Sequence, residues 1–525
     1  MALQLLQSCS DLALWRQQQP GPVHFVPTMG ALHQGHLRLF CRATELRGAG
    51  QPAVLASIFV NPSQFGPGED FSRYPRDLAA DLAVAEQGCV AAVFAPSVAE
   101  IYPKGVEELT AIQPAASLQE VLCGRSRPGH FNGVATVVTR LLQLVRPDRL
   151  VMGEKDWQQL IILRRVASDL GFQAWIEGCA TVREDHGLAC SSRNRYLEPG
   201  QMEQAWALPG ALAAAAGAIK AQDQTQAKDP LSAKSLIAGV RQRLEAAGLA
   251  VEYVELVSAH NLRPLTALAG VGLLAAAVRC GSSRLIDHTF LMSRSPIVAI
   301  DGPAGAGKST VTKAFAKRLG LIYLDTGSMY RALTWWVQQQ GVDPADGQAV
   351  APLLVDLDLR LTTAAGGEQQ VRINGHEVTD AIRSPGVTAQ VSLVAAHGCV
   401  RAALTSQQQA MGQRGGLVAE GRDIGTAVFP DAELKVFLTA TTTERARRRA
   451  ADLQQRGFAV PPLEELEQQI AERDHLDSTR AVAPLCQAAD AIELVTDGME
   501  IGAVIQALVD LFRDRVPEEA WPAPH

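Results

Sequence analysis

Aromatic side chains make up only 5% of the 525 residues, so aliphatic residues and alanine must fill the cores. Cysteine is sparse and odd in number: nine residues, at 9, 41, 89, 123, 179, 190, 280, 399 and 486, with no CxxC pair. That pattern argues against a disulfide scaffold or a cysteine zinc site and fits a reducing cytoplasm. Long apolar runs are missing too. The longest, 207–219 (which contains Pro209 and Gly210) and 268–278, fall short of the roughly 20 residues that cross a bilayer. The opening residues, MALQLLQSCSDLALW, carry no basic flank before their apolar residues, so they make a poor secretory signal. Nor is there a basic excess. With 48 basic and 55 acidic residues the net charge is −7, which opposes a general nucleic-acid coat. The expectation is a cytoplasmic protein that binds neither membrane nor nucleic acid. At roughly 150 residues per domain, the chain divides into two to four domains.

What is present is a repeated alternation of strand and helix. Residues 23–26, 54–60 and 150–152 read as short apolar strands, each running into a polar, glycine-containing turn. Leu160, Leu163, Ala167 and Leu170 fall at helical spacing in 156–170. This alternation predicts a parallel sheet with helices on its faces and ligands at the carboxyl ends of the strands. From about residue 192 alanine-rich helices follow, then strands at 251–256 and 272–278, a smaller second domain. Ser293-Arg294-Ser295-Pro296 is a polar break, and a fresh α/β pattern starts at Ile297. Asn374-Gly375 marks a hairpin in 370–377, and 417–419, 434–438 and 492–495 read as buried strands. Residues 516–525, rich in proline and acidic side chains, are expected to fray. The expected boundaries are 1–190, 191–292 and 293–525, and a cut near Ser295 is expected to leave both halves working.

Gly302-Pro303-Ala304-Gly305-Ala306-Gly307-Lys308-Ser309-Thr310 fits GxxxxGKS, with a strand before it and a helix after. Glycines let the backbone curl so that N–H groups point at phosphate oxygens, Lys308 reaches the outer phosphates, and Ser309 can hold magnesium. Three further motifs follow: Leu324-Asp325-Thr326-Gly327-Ser328-Met329-Tyr330-Arg331, Glu420-Gly421-Arg422-Asp423-Ile424-Gly425-Thr426 and Arg473-Asp474-His475-Leu476-Asp477-Ser478-Thr479-Arg480. Together they resemble the bacterial cytidylate kinases over nearly all of 295–515. The resemblance implies a P-loop nucleoside monophosphate kinase domain, a parallel sheet with helices on both faces plus lid and acceptor-binding insertions. It implies phosphoryl transfer from ATP to CMP or dCMP. Gly302, Gly305, Gly307, Lys308, Ser309 and Thr310 would bind ATP. Asp325, Thr326, Arg331, Ser392, Arg401, Arg422, Asp423, Arg473, Asp477 and Arg480 would bind or orient the acceptor, with Lys308 and Asp423 among the catalytic groups. The run Glu444-Arg445-Ala446-Arg447-Arg448-Arg449 is open to three readings: a nucleic-acid patch, a solvated face, or, by resemblance, a lid closing over the phosphates.

In the first half, Met29-Gly30-Ala31-Leu32-His33-Gln34-Gly35-His36 ends a strand with a turn and two histidines three residues apart. On a first helical turn both imidazoles share one face, where positive ring edges and helix N–H groups could meet phosphates. A metal pair and plain structural histidines are the competing readings. Asn61 and Gln64, Tyr74-Pro75-Arg76, His130-Phe131-Asn132-Gly133, Gly153-Glu154-Lys155-Asp156-Trp157-Gln158-Gln159 and Ser191-Ser192-Arg193-Asn194 follow in order. The set resembles pantothenate synthetase, the pantoate–β-alanine ligase, across about 1–290. That implies an α/β fold: a Rossmann-like nucleotidyltransferase-type domain with a smaller α+β domain. It also implies that pantoate is joined to AMP and that β-alanine then displaces AMP. By resemblance His36 would be the proton donor, His33 would help stabilise charge on the phosphates in transfer, and Lys155 would neutralise the same oxygens. Met29, Gly30, Ala31, Leu32, Gln34, Gly35, Gly153, Glu154, Asp156, Val182, Cys190, Ser191, Ser192 and Arg193 would bind ATP alongside them. Asn61, Gln64 and Gln159 would bind pantoate and β-alanine, and Asp81 a magnesium ion. Cys190 and His186 depart from the family's usual methionine and aspartate, which bears on nucleotide affinity rather than reaction class.

The expectation is therefore two ATP-using enzymes in one chain, with magnesium and without zinc, haem or flavin, and a homodimer through the ligase half. The alternatives are that one half only binds nucleotide as a regulator, or that the kinase prefers another acceptor such as UMP.

Overall fold

Short apolar strands separated by amphipathic helices can hide both faces of a sheet only when the strands run parallel with helices on either side. The computed structural model has that arrangement twice. It describes residues 3–46, 51–66, 69–225, 232–268, 270–363, 369–455, 457 and 459–524. The chain forms two units: Met1–Ser293 with Arg513–Pro522, and Arg294–Phe512 with Ala523–His525.

In the first unit, strands β1 (Gln4–Leu6), β2 (Val23–Thr28), β3 (Ala53–Ile58), β4 (Ala92–Phe94), β5 (Arg149–Gly153) and β6 (Trp175–Cys179) form one sheet in the order β1-β4-β3-β2-β5-β6. Its neighbouring strands pair in parallel. The chain steps outward from β2 through β3 to β4, then returns to lay β5 on the other side of β2. The crevice at the carboxyl ends of β2 and β5 is the switch point where such sheets bind ligands. Helix α1 (Gln34–Glu45) leaves β2, and α2 (Trp157–Asp169) leaves β5. The β2–β3 side packs Val26, Phe40, Val54, Ala56 and Val93 in one core. A second layer holds the antiparallel sheet β7 (Ala250–Ser258), β8 (Val271–Cys280) and β9 (Ser283–Met292) against helices α3 (Ala207–Thr225) and α4 (Ala233–Ala246), with aliphatic side chains and alanine filling the gap.

In the second unit, β10 (Ile297–Asp301), β11 (Ile322–Asp325), β15 (Leu417–Gly421), β16 (Leu434–Thr439) and β17 (Ile492–Val495) form a sheet in the order β11-β15-β10-β16-β17 with parallel pairings. Its central strand β10 carries the phosphate loop. An antiparallel insertion, β12 (Leu359–Thr363), β13 (Gln369–Ile373) and β14 (His376–Glu377), turns at Asn374 and Gly375, whose φ values of 47° and 85° suit a tight hairpin turn. Among the described residues no single helix is long and apolar enough to cross a membrane.

Residues 516–522 do not fray. Val516 is fully buried, and Arg513 donates to the carbonyls of Pro517 (3.5 Å) and Trp521 (2.6 Å). Acidic side chains suggested solvation, but here they meet donors inside the first unit. His525 lies outside the described residues.

Candidate functional site

Two clusters answer to the sequence motifs. In the first unit the turn after β2 is held by backbone chemistry. Gly30 and Ala31 both take positive φ, 80° and 52°, and a Cβ on Gly30 would lie 2.7 Å from a carboxylate oxygen of Asp81. Asp81 is buried and accepts the N–H groups of Ala31 (3.1 Å) and Leu32 (2.7 Å). Both of its oxygens thus hold the turn that carries His33. Gly30, Ala31 and Leu32 likewise shape the turn rather than line the cavity beside it.

His33 caps α1, its Nδ1 accepting from the Gly35 N–H at 3.1 Å, while the His33 N–H donates to His36 Nδ1 at 3.3 Å. These bonds leave each ring proton on Nε2. Burial, with Lys155 and Arg195 nearby, pushes His33 down to about 4. Burial, His33 and Lys155 push His36 to about 3. With values that low both rings are neutral at neutral pH, each presenting an Nε2–H edge, with centroids 4.2 Å apart.

These rings face a cavity of about 510 Å³. Met29, Gly35, Gly153, Lys155, Asp156, Val182, Cys190, Ser191, Ser192 and Arg193 line it, as do Asn61, Gln64 and Gln159. Asn61 donates to Gln64 Oε1 (3.2 Å) and accepts from the Tyr102 hydroxyl (2.9 Å), while Gln64 Nε2 lies 2.8 Å from Met29 Sδ. Gln34 does not line the cavity. Glu154 does not either: its carboxylate turns away and accepts the N–H groups of Glu518 (2.7 Å) and Glu519 (2.9 Å). Burial and the neighbouring carboxylates push it up to about 8.

The sequence reading gave no role to Arg127 or His130. Arg127 pairs with Glu69 at 2.6 Å, and His130 Nδ1 lies 2.8 Å from the Gln64 carbonyl, so the two brace the amide end of the cavity. The loop of 183–194 is tied by Arg183 to Asp287 (2.8 Å) and by Asn194 to Glu184 (2.7 Å). Its two unusual residues separate: His186 stacks on Trp206 with centroids 3.8 Å apart, while Cys190 faces the cavity. Burial and Glu184 raise the Cys190 pKa, which keeps the thiol protonated.

In the second unit Gly302, Gly305 and Gly307 take φ values of 149°, 77° and 83°. A Cβ on Gly302 would lie 2.0 Å from the Leu438 carbonyl oxygen, so only glycine lets the loop pass β16. Lys308 opens helix α5 (Lys308–Leu319) and folds back to the Gly302 and Pro303 carbonyls, each at 2.8 Å. Burial and Arg422 push its pKa down. Ser309 donates to Glu420 at 2.5 Å, and the other Glu420 oxygen is buried without a partner. A hydroxyl beside a carboxylate with a spare oxygen suits a hard cation. Thr310 follows on the exposed side of the same turn.

Around the loop, Asp325 caps α6 (Thr326–Gln339) and holds Arg331 at 2.8 Å. Thr326 donates to the Glu420 carbonyl at 2.7 Å. Asp423 pairs with Arg401 and stands 3.5 Å from Arg480, and Asp477 pairs with Arg422 at 3.0 Å. Arg473 has a buried Nε without a partner, and burial with Arg422 lowers its pKa to about 10. Five guanidinium groups thus stand among three aspartates, and guanidinium forks of this kind suit phosphate oxygens. Ser392 is half-buried on a helix, Pro385–Ala396. The arginine run lies on α7 (Thr442–Gln455) and divides: Arg445 donates to the Ala304 carbonyl (3.2 Å) and pairs with Asp474 (2.7 Å), and Arg448 donates to the Ala306 carbonyl (3.1 Å). Arg447 and Arg449 are exposed.

The family model described as pantoate-beta-alanine ligase matches residues 4–290, and that described as cytidylate kinase matches 298–514. A bifunctional pantoate ligase/cytidylate kinase of Prochlorococcus marinus (strain MIT 9313) is 63% identical over 97% of this chain and 99% of its own. One from Parasynechococcus marenigrum (strain WH8102) is 62% identical over 99% and 100%. A crystal structure of pantothenate synthetase from Thermus thermophilus is 41% identical, covers 54% of this chain and 98% of that one, and superposes with a TM-score of 0.49.

Proposed function

The chain belongs to the bifunctional pantoate ligase/cytidylate kinase family, and on that premise we propose how its two clusters divide the work. It is a pantoate–β-alanine ligase and a cytidylate kinase, and both activities use a nucleotide. In this reading residues 1–190 hold ATP and pantoate, 191–292 form the smaller ligase domain, and 293–525 carry the kinase, apart from the 513–522 segment that joins the first unit.

For the ligase, the carrying observation is that two neutral imidazoles and Lys155 line the same cavity as Asn61, Gln64 and Gln159. A pantoate carboxylate oxygen attacks the α-phosphorus of ATP and pyrophosphate leaves. The amine of β-alanine then attacks the acyl carbon, the acyl–phosphate bond to AMP breaks, and the amine gives up a proton. His33 and His36 offer Nε2–H groups to phosphate oxygens, and Lys155 and Arg193 supply charge where it grows in the transition state. Ser191 and Ser192 add hydroxyl donors, and Met29, Gly35, Gly153, Asp156, Val182 and Cys190 complete the nucleotide wall. The amides at 61, 64 and 159 suit a hydroxylated acid, because an analogue lacking the hydroxyl would leave them unpaired.

For the kinase, Lys308 and the loop glycines take the ATP phosphates, with Arg445 and Arg448 reaching them from the lid helix. Arg331, Arg401, Arg422, Arg473 and Arg480 take the phosphate of CMP or dCMP, with Thr326 and Ser392 toward its nucleoside. Asp325, Asp423 and Asp477 orient the arginines. Ser309 and Glu420 would hold magnesium, which supplies charge neutralisation to the transferred phosphoryl group. The protein works in the cytoplasm, as a homodimer formed through the ligase half.

Chromatography of nucleotide products from the purified chain with Mg-ATP tests both readings. Pantoate plus β-alanine should yield AMP, and CMP should yield CDP and ADP. An acceptor that yields nothing above an ATP-only control withdraws the assignment for its half.

A further inference from the structure

Residues 513–522 lie almost wholly beyond the kinase match, which ends at 514, yet they are part of the first unit. Their contacts concentrate behind the nucleotide wall of its cavity. The N–H groups of Glu518 and Glu519 donate to the two oxygens of Glu154 at 2.7 and 2.9 Å. Glu154 stands between Gly153 and Lys155, both of which line the cavity. In the other direction, Glu518 accepts the Ala180 N–H at 3.2 Å. Glu519 accepts the Thr181 N–H at 2.9 Å and is also bonded by the Thr181 hydroxyl. Ala180, Thr181 and Val182 line the cavity as well. Arg183 and His288 stand 3.6 and 3.9 Å from Glu519, and Arg42 stands 3.9 Å from Glu518.

We propose that the 513–522 segment is a positioning element of the ligase's nucleotide site, with Glu519 its principal residue. The turn after β5 and the residues after β6 leave adjacent strands, and the gap behind them is closed by this segment. A carboxyl group from one side and amide donors from the other meet the segment's own donors and carboxylates, so the two walls are held at a fixed separation. A two-residue reciprocal bridge of this kind sets the position of Lys155 and Thr181 without touching substrate. The proposal rests on the reading of that cavity as the ATP site of the ligase.

The test uses the full-length chain with Glu519→Ala, Glu519→Gln and, separately, Lys155→Ala, in steady-state assays of pantothenate formation and of CDP formation. Glu519→Ala strips two Thr181 donors of a charged acceptor, so KM for ATP in the ligase reaction is expected to rise about tenfold. KM for β-alanine and the kinase rate should not change, and Glu519→Gln, which keeps an acceptor oxygen, should recover most of the loss. Amide hydrogen exchange at Thr181 should quicken in Glu519→Ala. If Lys155→Ala raises the ATP KM while Glu519→Ala leaves it within twofold, the positioning role is refuted and the site reading stands. If Glu519→Ala lowers every ligase parameter together and Glu519→Gln restores nothing, the segment is only structural and the proposal is again overturned. If Lys155→Ala has no effect on ATP, the site reading itself fails.

Discussion

Asp81→Asn separates two accounts of one carboxylate, as anchor of the His33 turn or as ligand of a cation. The native side chain accepts two buried backbone N–H groups, from Ala31 and Leu32. Each hydrogen bond to a charged acceptor contributes about 1.5–3 kcal/mol. The variant keeps one carbonyl oxygen but turns an NH2 toward the other N–H, so donor faces donor. A local loss of about 2–4 kcal/mol follows from one such bond plus that mismatch. At about 1.4 kcal/mol per decade, the amides of Ala31 and Leu32 should exchange about 30- to 700-fold faster in hydrogen–deuterium mass spectrometry of the full chain. The loosened cap should also raise the ligase KM for ATP, with kinase turnover as an internal control. Unchanged exchange together with a raised magnesium requirement for the ligase would refute the anchoring account and return Asp81 to the cation.

Three further outcomes are expected. Glu420→Gln removes the charge beside Ser309 and should lower kinase kcat roughly 10- to 100-fold while pantothenate formation continues, as a paired product assay would show. Arg401→Ala removes the nearer of two guanidinium groups at the buried Asp423 and leaves Arg480 at 3.5 Å. Breaking such a pair costs about 3–5 kcal/mol, so thermal unfolding should move down and the CMP KM up by about a hundredfold. For His33 and His36, whose folded pKa values lie at about 4 and about 3 against an unfolded value near 6.5, the neutral form is favoured by folding. Their stabilising contribution is complete above about pH 6.5 and falls away as pH drops toward 4 and 3. Proton NMR of the two ring resonances should therefore show no midpoint between pH 8 and 5, and a midpoint near 6.5 would sink the assignment.

Motifs that act through adjacent backbone were legible. The glycine loop at 302–307 and the histidine turn at 29–36 each depend on a strand that ends and a helix that begins, and both signals are local. Partners distant in sequence were not. Nothing around Asp81 announces that it holds a turn 50 residues earlier. Glu154 sits inside a nucleotide motif, but successive side chains leave the β5 turn in different directions, and its own points away from the cavity. Among the arginines of 445–449, composition alone could not say which faces the phosphate loop. The three-residue spacing of Arg445 and Arg448 on a helix does, once the helix is docked. Glu420 stood in a quoted motif without a role because its partner, Ser309, is 111 residues away.

That the first unit contains residues 513–522 also orders events during synthesis. Residues 1–293 leave the ribosome first, but the gap behind Glu154 and Thr181 stays open until residue 522 has emerged. At about 5–20 residues per second, the 229 residues from 293 to 522 take roughly 10–45 s. Through that interval the nascent ligase carries a buried carboxyl and several amide donors without their partners. Until residue 522 is out, they are open to water or to a folding helper. Synthesis that stops between these points would therefore leave a ligase half with an unbraced nucleotide wall.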